Sequence, residues 1–181
     1  MIDDIQKQVK DAMPVYKDWP KPGINYLNTV DICRNPVAFR NSIEYFYTVA
    51  ATRDADHVFA ADARGFIWGS PVAYRLGIPL HVIRKKNKMP GDLLSEDYEL
   101  EYGTDTLQLR NVPIQSHNVI LVDDVLATGG TAIAMCNLVH KLGVNYQSMA
   151  FVSLINISFL PGKNRLREMG VSVYSLIDVN E

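Results

Sequence analysis

Residues 119–132 read VILVDDVLATGGTA, which joins an apolar run, an acidic pair and a glycine-rich turn. Four branched apolar residues in succession are typical of a strand that is covered on both faces, as in a parallel sheet. The stretch that follows, GTAIAMCNLVHKLG (130–143), has helical spacing, and we expect its last residue, Gly143, at the C′ position. The segment therefore predicts one strand-to-helix unit of an α/β fold.

The same unit recurs along the chain. Helical spacing predicts further helices at 3–13, 35–52 and 65–77, and Asn35 is expected to be the N-cap of the second one, with Pro36 in its first turn. Continuous apolar runs predict the strands VFAA (58–61), LHVIR (80–84), VILVD (119–123), SMAFVSLI (148–155) and VSVYSLI (171–177). This alternation predicts an α/β fold with a mostly parallel central sheet flanked by helices. Residues 85–104 interrupt it, and a polar excursion of that length is usually a functional lid or a short hairpin.

The composition is that of a single globular domain. The chain has 181 residues, of which 48% are hydrophobic and 21% charged. That is long enough to bury a core without help from disulfides or metals. The net charge of −2 argues against non-specific nucleic-acid binding, although a local basic cluster could still serve a small anionic ligand.

The sequence also predicts where the protein resides. Its start, MIDDIQKQVKD, is too polar for a signal peptide, and no apolar run approaches the roughly 18 residues of a membrane span. Cys33 and Cys136 lack a metal-ligand spacing and are expected to be reduced thiols, and the four histidines form no metal-ligand pattern. We therefore expect a soluble, cytoplasmic protein that binds neither membranes nor nucleic acids.

The acidic pair and the glycine turn together predict a site for a phosphorylated sugar. Ligands of open α/β sheets bind at the carboxyl ends of the strands, where Asp123 and Asp124 are expected as the strand breaks into its loop. In ATGGT (127–131), glycines let the backbone approach a ligand, and the helix start favours an anion. The alternative is that the aspartates cap a helix and the glycines only form a turn. The stretch is not a Walker loop, because the lysine of that motif is missing.

Four motifs carry a resemblance to a known family. VILVDDVLATGGTA resembles the phosphoribosyl-pyrophosphate signature of the type I phosphoribosyltransferases. DWPKPGINY (18–26), ADARGFIWG (61–69) and IRKKNKMPG…YELEYG (83–103) resemble segments of adenine phosphoribosyltransferases, in the same order along the chain. On this basis the chain is identified as a member of the type I phosphoribosyltransferase family, with the resemblance running over roughly residues 18 to 178. The resemblance implies one domain over 1–181, with an N-terminal hood over roughly 1–34 and a flexible lid loop over roughly 85–104.

The resemblance implies a reaction in which N9 of a purine displaces pyrophosphate from C1 of phosphoribosyl pyrophosphate. Asp123 and Asp124 would hold the ribose hydroxyls. The 5′-phosphate would lie in the loop formed by Ala127, Thr128, Gly129, Gly130 and Thr131. The pyrophosphate loop would consist of Asp62, Ala63, Arg64 and Gly65, with a cis peptide bond at Asp62–Ala63. Mg²⁺ carried in by the substrate and a homodimer are further expectations from the resemblance.

Elementary chemistry supports a cluster of cations and a general base at such a site. The transition state places negative charge on the departing pyrophosphate, which Arg64, Arg84, Lys85 and Lys88 could neutralise. The alternative for RKKNK (84–88) is a solvated basic loop. The purine loses a proton as N9 attacks, and Glu101 matches the family's residue for that step; the alternative is that Glu101 is one exposed acid among several. Tyr98 and Tyr102 are expected to pack the closed lid, which excludes water.

The purine is expected at the hood. The resemblance places five residues around it, namely Asn25, Tyr26, Leu27, Arg64 and Phe66, with much of the recognition through backbone groups. Relatives usually carry Arg-Asp where this chain has Leu27 and Asn28. Adenine is the expected base. One alternative is a hypoxanthine, guanine or xanthine phosphoribosyltransferase, in which Lys141 would read the 6-oxo group. The other is a non-catalytic regulator that binds phosphoribosyl pyrophosphate, a class that carries an added DNA-binding domain.

Overall fold

A seven-stranded sheet organises the computed structural model, which describes residues 2–100, 103–115 and 118–180. In chain order the elements are α1 (Ile2–Asp11), β1 (Val15–Tyr16), β2 (Tyr26–Leu27), a 3₁₀ helix (Thr29–Arg34), α2 (Pro36–Thr52), β3 (His57–Ala61), α3 (Gly65–Leu76), β4 (Leu80–Lys85), β5 (Leu93–Leu100), β6 (Gly103–Arg110), β7 (Val119–Leu126), α4 (Gly130–Lys141), a short 3₁₀ turn (Tyr146–Ser148), β8 (Met149–Ile157), α5 (Gly162–Glu168) and β9 (Ser172–Val179).

The strands of the large sheet lie in the order β5-β6-β4-β3-β7-β8-β9. The five strands from β4 to β9 in this order are mutually parallel, whereas β6 is antiparallel to both β4 and β5. The predicted α/β fold with a mostly parallel sheet is therefore confirmed. Because parallel strands all end at the same edge, the loops that follow β3, β4 and β7 meet there.

Two apolar layers cover the two faces of this sheet. On one face Phe59 lies in register with Leu121, and Leu121 with Phe151, and α4 covers them with side chains such as Met135. On the other face the neighbouring residues Val58, Ile120 and Ala150 pack under α2 and α3, with Phe46 and Trp68 fully buried. Burial on both faces explains why the strands read as continuous apolar runs.

Local signals in the sequence set the ends of two helices as expected. The side chain of Asn35 accepts hydrogen bonds from the backbone N–H groups of Val37 and Ala38, both at 3.1 Å, and so caps α2. Gly143 follows α4 with φ of +96°, a conformation that glycine adopts without a steric penalty. In the parts of the chain that the structure describes, no helix is both long and apolar enough to span a membrane.

One predicted element boundary was wrong, and some elements were missed. The strand expected at 119–123 continues through both aspartates to Leu126, because β7 goes on pairing with β8 as far as Leu126 and Asn156. Much of the segment 85–104 is strand, since β5 and β6 form a hairpin that extends the sheet beside β4, and its role as a lid stays a prediction. The hairpin left open as an alternative for this segment is therefore confirmed. Finally, the sequence did not predict α5 or the part of β6 that continues beyond residue 104 to Arg110.

Candidate active site

The glycine loop 127–131 forms a cradle between the end of β7 and the start of α4. Gly129 has φ of +90°, and an added Cβ there would lie 2.9 Å from the Cα of Gly162, so the two backbones are in close contact. The Gly162 N–H donates to the carbonyl of Ala127 at 3.1 Å, and Arg165 Nη1 donates to that of Thr128 at 3.0 Å. The start of α5 thus supports the loop from behind. The first N–H groups of α4 have no partner within the helix and can therefore bind an anion.

The cradle opens into a cavity of about 160 Å³, which is lined by Glu99 and residues 125–132. Its lining includes all five residues predicted to hold the 5′-phosphate.

The acidic pair lies within β7, next to the cradle. Asp124 is only 1% exposed, and its Oδ2 accepts a hydrogen bond from Thr29 Oγ1 at 2.6 Å and faces Arg64 Nε at 3.2 Å. Asp123 Oδ1 accepts from the backbone N–H of Asp124 at 2.9 Å. Two causes raise the pKa of Asp123 well above its ordinary value: burial is the larger one, and repulsion from Asp124 is the second. The alternative of a helix cap is wrong, because both aspartates belong to a strand and α4 begins only at Gly130.

The segment after β3 forms a tight turn that contains the expected cis peptide bond between Asp62 and Ala63. Gly65, which begins α3, lies so close to β7 that a Cβ there would overlap the carbonyl of Val122. Asp62 Oδ2 accepts from Arg84 Nε at 3.0 Å. The ends of β3, β4 and β7 thus bring Asp62, Arg64 and Arg84 to the edge of the sheet that also holds Asp123 and Asp124.

The remaining cations of the RKKNK run lie farther along the base of the hairpin. Lys85 Nζ lies 3.2 Å from Asp105 Oδ2, and its hydrogen bond with Asp105 is the main cause that raises the pKa of Lys85. Lys88 is exposed, and its carbonyl faces Arg84 Nη1 at 3.5 Å. Arg84 and Lys85 each pair with a carboxylate, although the Lys85 side chain is 54% exposed. The role of this run in binding pyrophosphate stays a prediction.

The hairpin lies over the cradle. Tyr98 is buried, donates to Asp105 Oδ2 at 3.3 Å and has the side chain of Thr131 within hydrogen-bonding range. A Cβ at Gly130 would lie 2.9 Å from the carbonyl of Glu99, so strand β5 and the start of α4 are in contact. The packing role expected for Tyr98 is confirmed. Glu101 and Tyr102 lie outside the described residues, and their expected roles stay predictions.

A polar cluster on α4 holds the hairpin in this position. Glu96 accepts from Lys141 Nζ at 2.6 Å and from Asn137 Nδ2 at 2.7 Å. Lys141 also donates to the carbonyl of Ser95 at 2.7 Å, and Asn137 accepts from the Tyr146 hydroxyl at 3.0 Å. Lys141 is thus engaged with the hairpin at the end of α4 opposite the cradle.

The small sheet of β1 and β2 falls within the predicted hood and reaches the site through one side chain. Tyr26 OH accepts from Arg64 Nη1 at 3.1 Å, and its ring lies 4.4 Å from that of Trp19. Leu27 and Phe66 are half-buried and pack against the core, whereas Asn25 is exposed. Of the expected purine residues, the structure brings Tyr26 and Arg64 into direct contact.

Three residues of the site were missed by sequence reasoning, namely Thr29, Gly162 and Arg165. Thr29 has no local signal, because its partner Asp124 lies 95 residues away. Gly162 and Arg165 belong to PGKNRLRE (161–168), whose helix of seven residues is too short to show a period. In the described ranges, no three histidine, cysteine, aspartate or glutamate side chains are grouped as a metal ion would require.

Comparison with known proteins identifies the family. The model of the phosphoribosyl transferase domain family matches residues 31–173. A protein of Pectobacterium atrosepticum named adenine phosphoribosyltransferase is 40% identical over 171 residues, which cover 94% of this chain and 91% of that protein. The chain belongs to the adenine phosphoribosyltransferase family.

Solved members of the adenine phosphoribosyltransferase family share the fold. The enzyme from Thermoanaerobacter pseudethanolicus is 37% identical with a TM-score of 0.87, and the match covers 96% of this chain and 99% of that one. The enzyme from Saccharomyces cerevisiae is 30% identical with a TM-score of 0.86, over 97% and 99% of the two chains. That structure was determined with adenine and an imino-altritol bisphosphate bound.

Proposed function

We propose that this chain is an adenine phosphoribosyltransferase of purine salvage. It transfers the 5-phosphoribosyl group of phosphoribosyl pyrophosphate to N9 of adenine and releases AMP and pyrophosphate. The observation that carries the proposal is the meeting of the Ala127–Thr131 cradle, the Asp123–Asp124 pair and Arg64 at one edge of the sheet. The relatives named for this activity match nearly the whole chain.

The residues at this edge suit the two halves of the phosphoribosyl substrate. The cradle holds the 5′-phosphate with backbone N–H groups at the start of α4, where the helix dipole adds to the attraction. The acidic pair lies next to it and accepts hydrogen bonds from the ribose hydroxyls. Positive charge develops on the ribose as the bond at C1 breaks, and nearby carboxylates stabilise it.

The leaving group is held by arginines at the ends of β3 and β4. Arg64 and Arg84 both lie at this edge, and each is paired with a carboxylate that orients its guanidinium group. Guanidinium groups bind phosphate oxygens with two parallel hydrogen bonds and so stabilise pyrophosphate as its charge grows. Lys85 and Lys88 add positive charge at the base of the hairpin.

The hairpin closes the site and supplies the proton acceptor. Its strand β5 already lies against Gly130, so that a bound sugar phosphate would be covered from one side. Covering the site prevents water from attacking the activated sugar. Glu101, which matches the family's residue for this step, takes the proton that leaves the purine as N9 attacks C1.

The position of Lys141 favours adenine over oxo-purines. A lysine that reads a 6-oxo group must be free to reach the base, but Lys141 makes two hydrogen bonds to the hairpin at the far end of α4. Arg64 and Tyr26 remain as the polar side chains beside the proposed base site. Recognition by backbone groups of the hood explains why Leu27 and Asn28 can replace the Arg-Asp pair of relatives.

Magnesium and a second subunit complete the proposal. Mg²⁺ would be held mainly by substrate oxygens and water and would neutralise pyrophosphate. The carboxylate of Asp123 is an oxygen donor of the kind that this hard cation prefers. We further propose a cytoplasmic homodimer, in which some hairpin cations reach the neighbouring site. The free thiols Cys33 and Cys136 are consistent with a reducing compartment.

A panel of purines tests the assignment. Purified protein supplied with Mg²⁺ and phosphoribosyl pyrophosphate is expected to convert adenine to AMP. Turnover of hypoxanthine or guanine without adenine would overturn the choice of base. Binding of phosphoribosyl pyrophosphate without turnover of any purine would favour the regulator instead.

A paired set of variants tests the acidic pair. Asp123→Asn with Asp124→Asn removes both carboxylates beside the cradle and is expected to lower kcat/KM by at least 100-fold, the order of effect seen when a stabilising group is lost. The matched control is Asp3→Asn with Asp4→Asn, an adjacent pair exposed in the first turn of α1. Near-normal kinetics in the first double variant would refute the ribose-binding role.

A further inference from the structure

Thr29 is a polar residue of the hood that is fully buried where the hood contacts β7 of the large sheet. It begins the 3₁₀ helix Thr29–Arg34, whose Ile32 packs into the apolar layer under α2 and α3. The Thr29 hydroxyl donates to Asp124 Oδ2 at 2.6 Å, a short distance typical of a bond to a charged acceptor. A hydroxyl in this position can orient the Asp124 carboxylate as well as fill space in the core.

Thr29 closes a ring of contacts that joins the two halves of the proposed site. Arg64 Nε lies 3.2 Å from the oxygen that Thr29 contacts, and Arg64 Nη1 donates to Tyr26 OH at 3.1 Å. Tyr26 and Thr29 belong to the same short segment of the hood. The hood that would contact the purine is thereby connected to the carboxylate that would contact the ribose.

The two donors to Asp124 differ in how firmly they are held. The side chain of Arg64 is 41% exposed, and it is one of the groups proposed to bind pyrophosphate, for which its guanidinium must turn outward. Thr29 is 0% exposed and has no such second task. Once Arg64 engages the substrate, the Thr29 hydroxyl remains as the donor that fixes Asp124.

We propose that Thr29 is a positioning residue for the phosphoribosyl substrate. Its hydroxyl holds the Asp124 carboxylate in the orientation that accepts the ribose hydroxyls, and it does so from the segment that forms the purine side of the site. The inference rests on the proposed function only in taking Asp124 as the ribose ligand. Loss of the hydroxyl leaves a buried carboxylate without its firm donor, which costs both orientation and affinity.

Two substitutions at Thr29 separate its hydroxyl from its methyl group. Thr29→Val keeps the shape and removes the hydroxyl, whereas Thr29→Ser keeps the hydroxyl and removes the methyl group. We expect the valine variant to raise KM for phosphoribosyl pyrophosphate and lower kcat/KM by roughly tenfold to a hundredfold, the ratio that a hydrogen bond to a charged group supplies. The serine variant should remain within about threefold, since its charge-assisted bond is kept. If Thr29 acted only by packing, the serine variant would show the larger loss of kcat/KM and the valine variant the smaller one.

Equilibrium binding keeps this test independent of the reaction. Titration calorimetry with Mg²⁺–phosphoribosyl pyrophosphate measures how much each variant binds this substrate more weakly than wild type. The result does not depend on which purine is used, so a wrong choice of base would not affect it. Thr48→Val is the control, because Thr48 is exposed on α2 and its hydroxyl donates to the Glu44 carbonyl of its own helix. Thr29→Ala serves if the valine variant does not fold. Equal affinity of wild type and the variants that lack the hydroxyl would overturn the proposal.

Discussion

Replacing Gly162 by alanine should damage the cradle from behind. Gly162 is the first residue of α5, and a Cβ there would overlap the carbonyl of Ala127 and lie 2.9 Å from the N atom of Gly129 and 3.0 Å from Leu126 Cδ1. The first two are backbone atoms of the cradle, which cannot rotate away as a side-chain end could. Either α5 or the cradle must therefore move by about half an ångström or more to restore ordinary contact distances.

The size of the effect follows from that overlap. Alanine in place of glycine at an open helical position stabilises a protein by about 1 kcal/mol, whereas forced overpacking costs about 1–3 kcal/mol. We expect Gly162→Ala to lower the free energy of unfolding by on the order of 1 kcal/mol as the balance of the two. Misplacement of a binding loop by about 1 Å costs on the order of a hundredfold in rate, so kcat/KM for phosphoribosyl pyrophosphate should fall by about tenfold to a hundredfold.

The assay combines steady-state kinetics at varied phosphoribosyl pyrophosphate with urea unfolding followed by circular dichroism. Gly77→Ala is the control, because Gly77 directly follows α3 with φ of +69° and nothing lies within 4 Å of an added Cβ. This control should lose roughly 1–2 kcal/mol through backbone strain while keeping its KM. A normal KM in Gly162→Ala would refute the reasoning that α5 shapes the cradle.

Three further changes have expected results. Lys141→Met removes two hydrogen bonds to the hairpin, at Glu96 and Ser95, and should raise the rate of proteolysis within the hairpin severalfold. Ser42→Ala leaves the buried Trp68 Nε1–H, which now donates to Ser42 Oγ at 2.9 Å, without an acceptor; urea unfolding should report a loss of about 1–3 kcal/mol. Burial lowers the pKa of His81 below its ordinary value of 6.5, so the unfolded chain binds more protons in mild acid. The free energy of unfolding should therefore fall as the pH drops from about 7 to about 5, and less steeply in His81→Gln.

Each of these predictions has a matched control. Lys163→Met removes a lysine that pairs with Asp178 on β9, away from the hairpin, and equal proteolysis in both lysine variants would contradict the role of Lys141. Thr48→Ala removes an exposed hydroxyl from the same helix as Ser42; a loss as large as that of Ser42→Ala would mean that the indole contact contributes nothing. His140→Gln replaces an exposed histidine. If the pH dependence of the free energy of unfolding changed in His140→Gln but not in His81→Gln, the assignment of this effect to His81 would be wrong.

Sequence reasoning succeeded where the signal is local. The cap of Asn35 on α2, the left-handed Gly143 after α4 and the buried run of β7 each depend on residues within a few positions of one another. The cradle 127–131 belongs to the same class, because strand, glycines and helix follow each other directly. Such features can be recognised without knowledge of the tertiary structure.

Features that depend on distant partners were missed or placed wrongly. The strand β6, GTDTLQLR, has no apolar run and owes its extended form to pairing with β4 and β5. The continuation of β7 through Asp123 and Asp124 is imposed by β8. The bond from Thr29 to Asp124 and the contact of Gly162 with the cradle join segments that no local pattern relates.

The position of β7 has a consequence for how activity appears during folding. In the sheet this strand lies between β3 and β8, and along the chain α3, β4 and the β5–β6 hairpin separate it from β3. Its Asp124 accepts a hydrogen bond from Thr29, which lies 95 residues earlier in the chain. Contacts of such long sequence separation cost more chain entropy to form, and we expect them to form slowly. A chain that has formed its helices and the β3–β4 pair but not inserted β7 has no site. Recovery of catalysis after dilution from denaturant should therefore lag behind recovery of helical signal, which makes the reaction itself a probe of the insertion of β7.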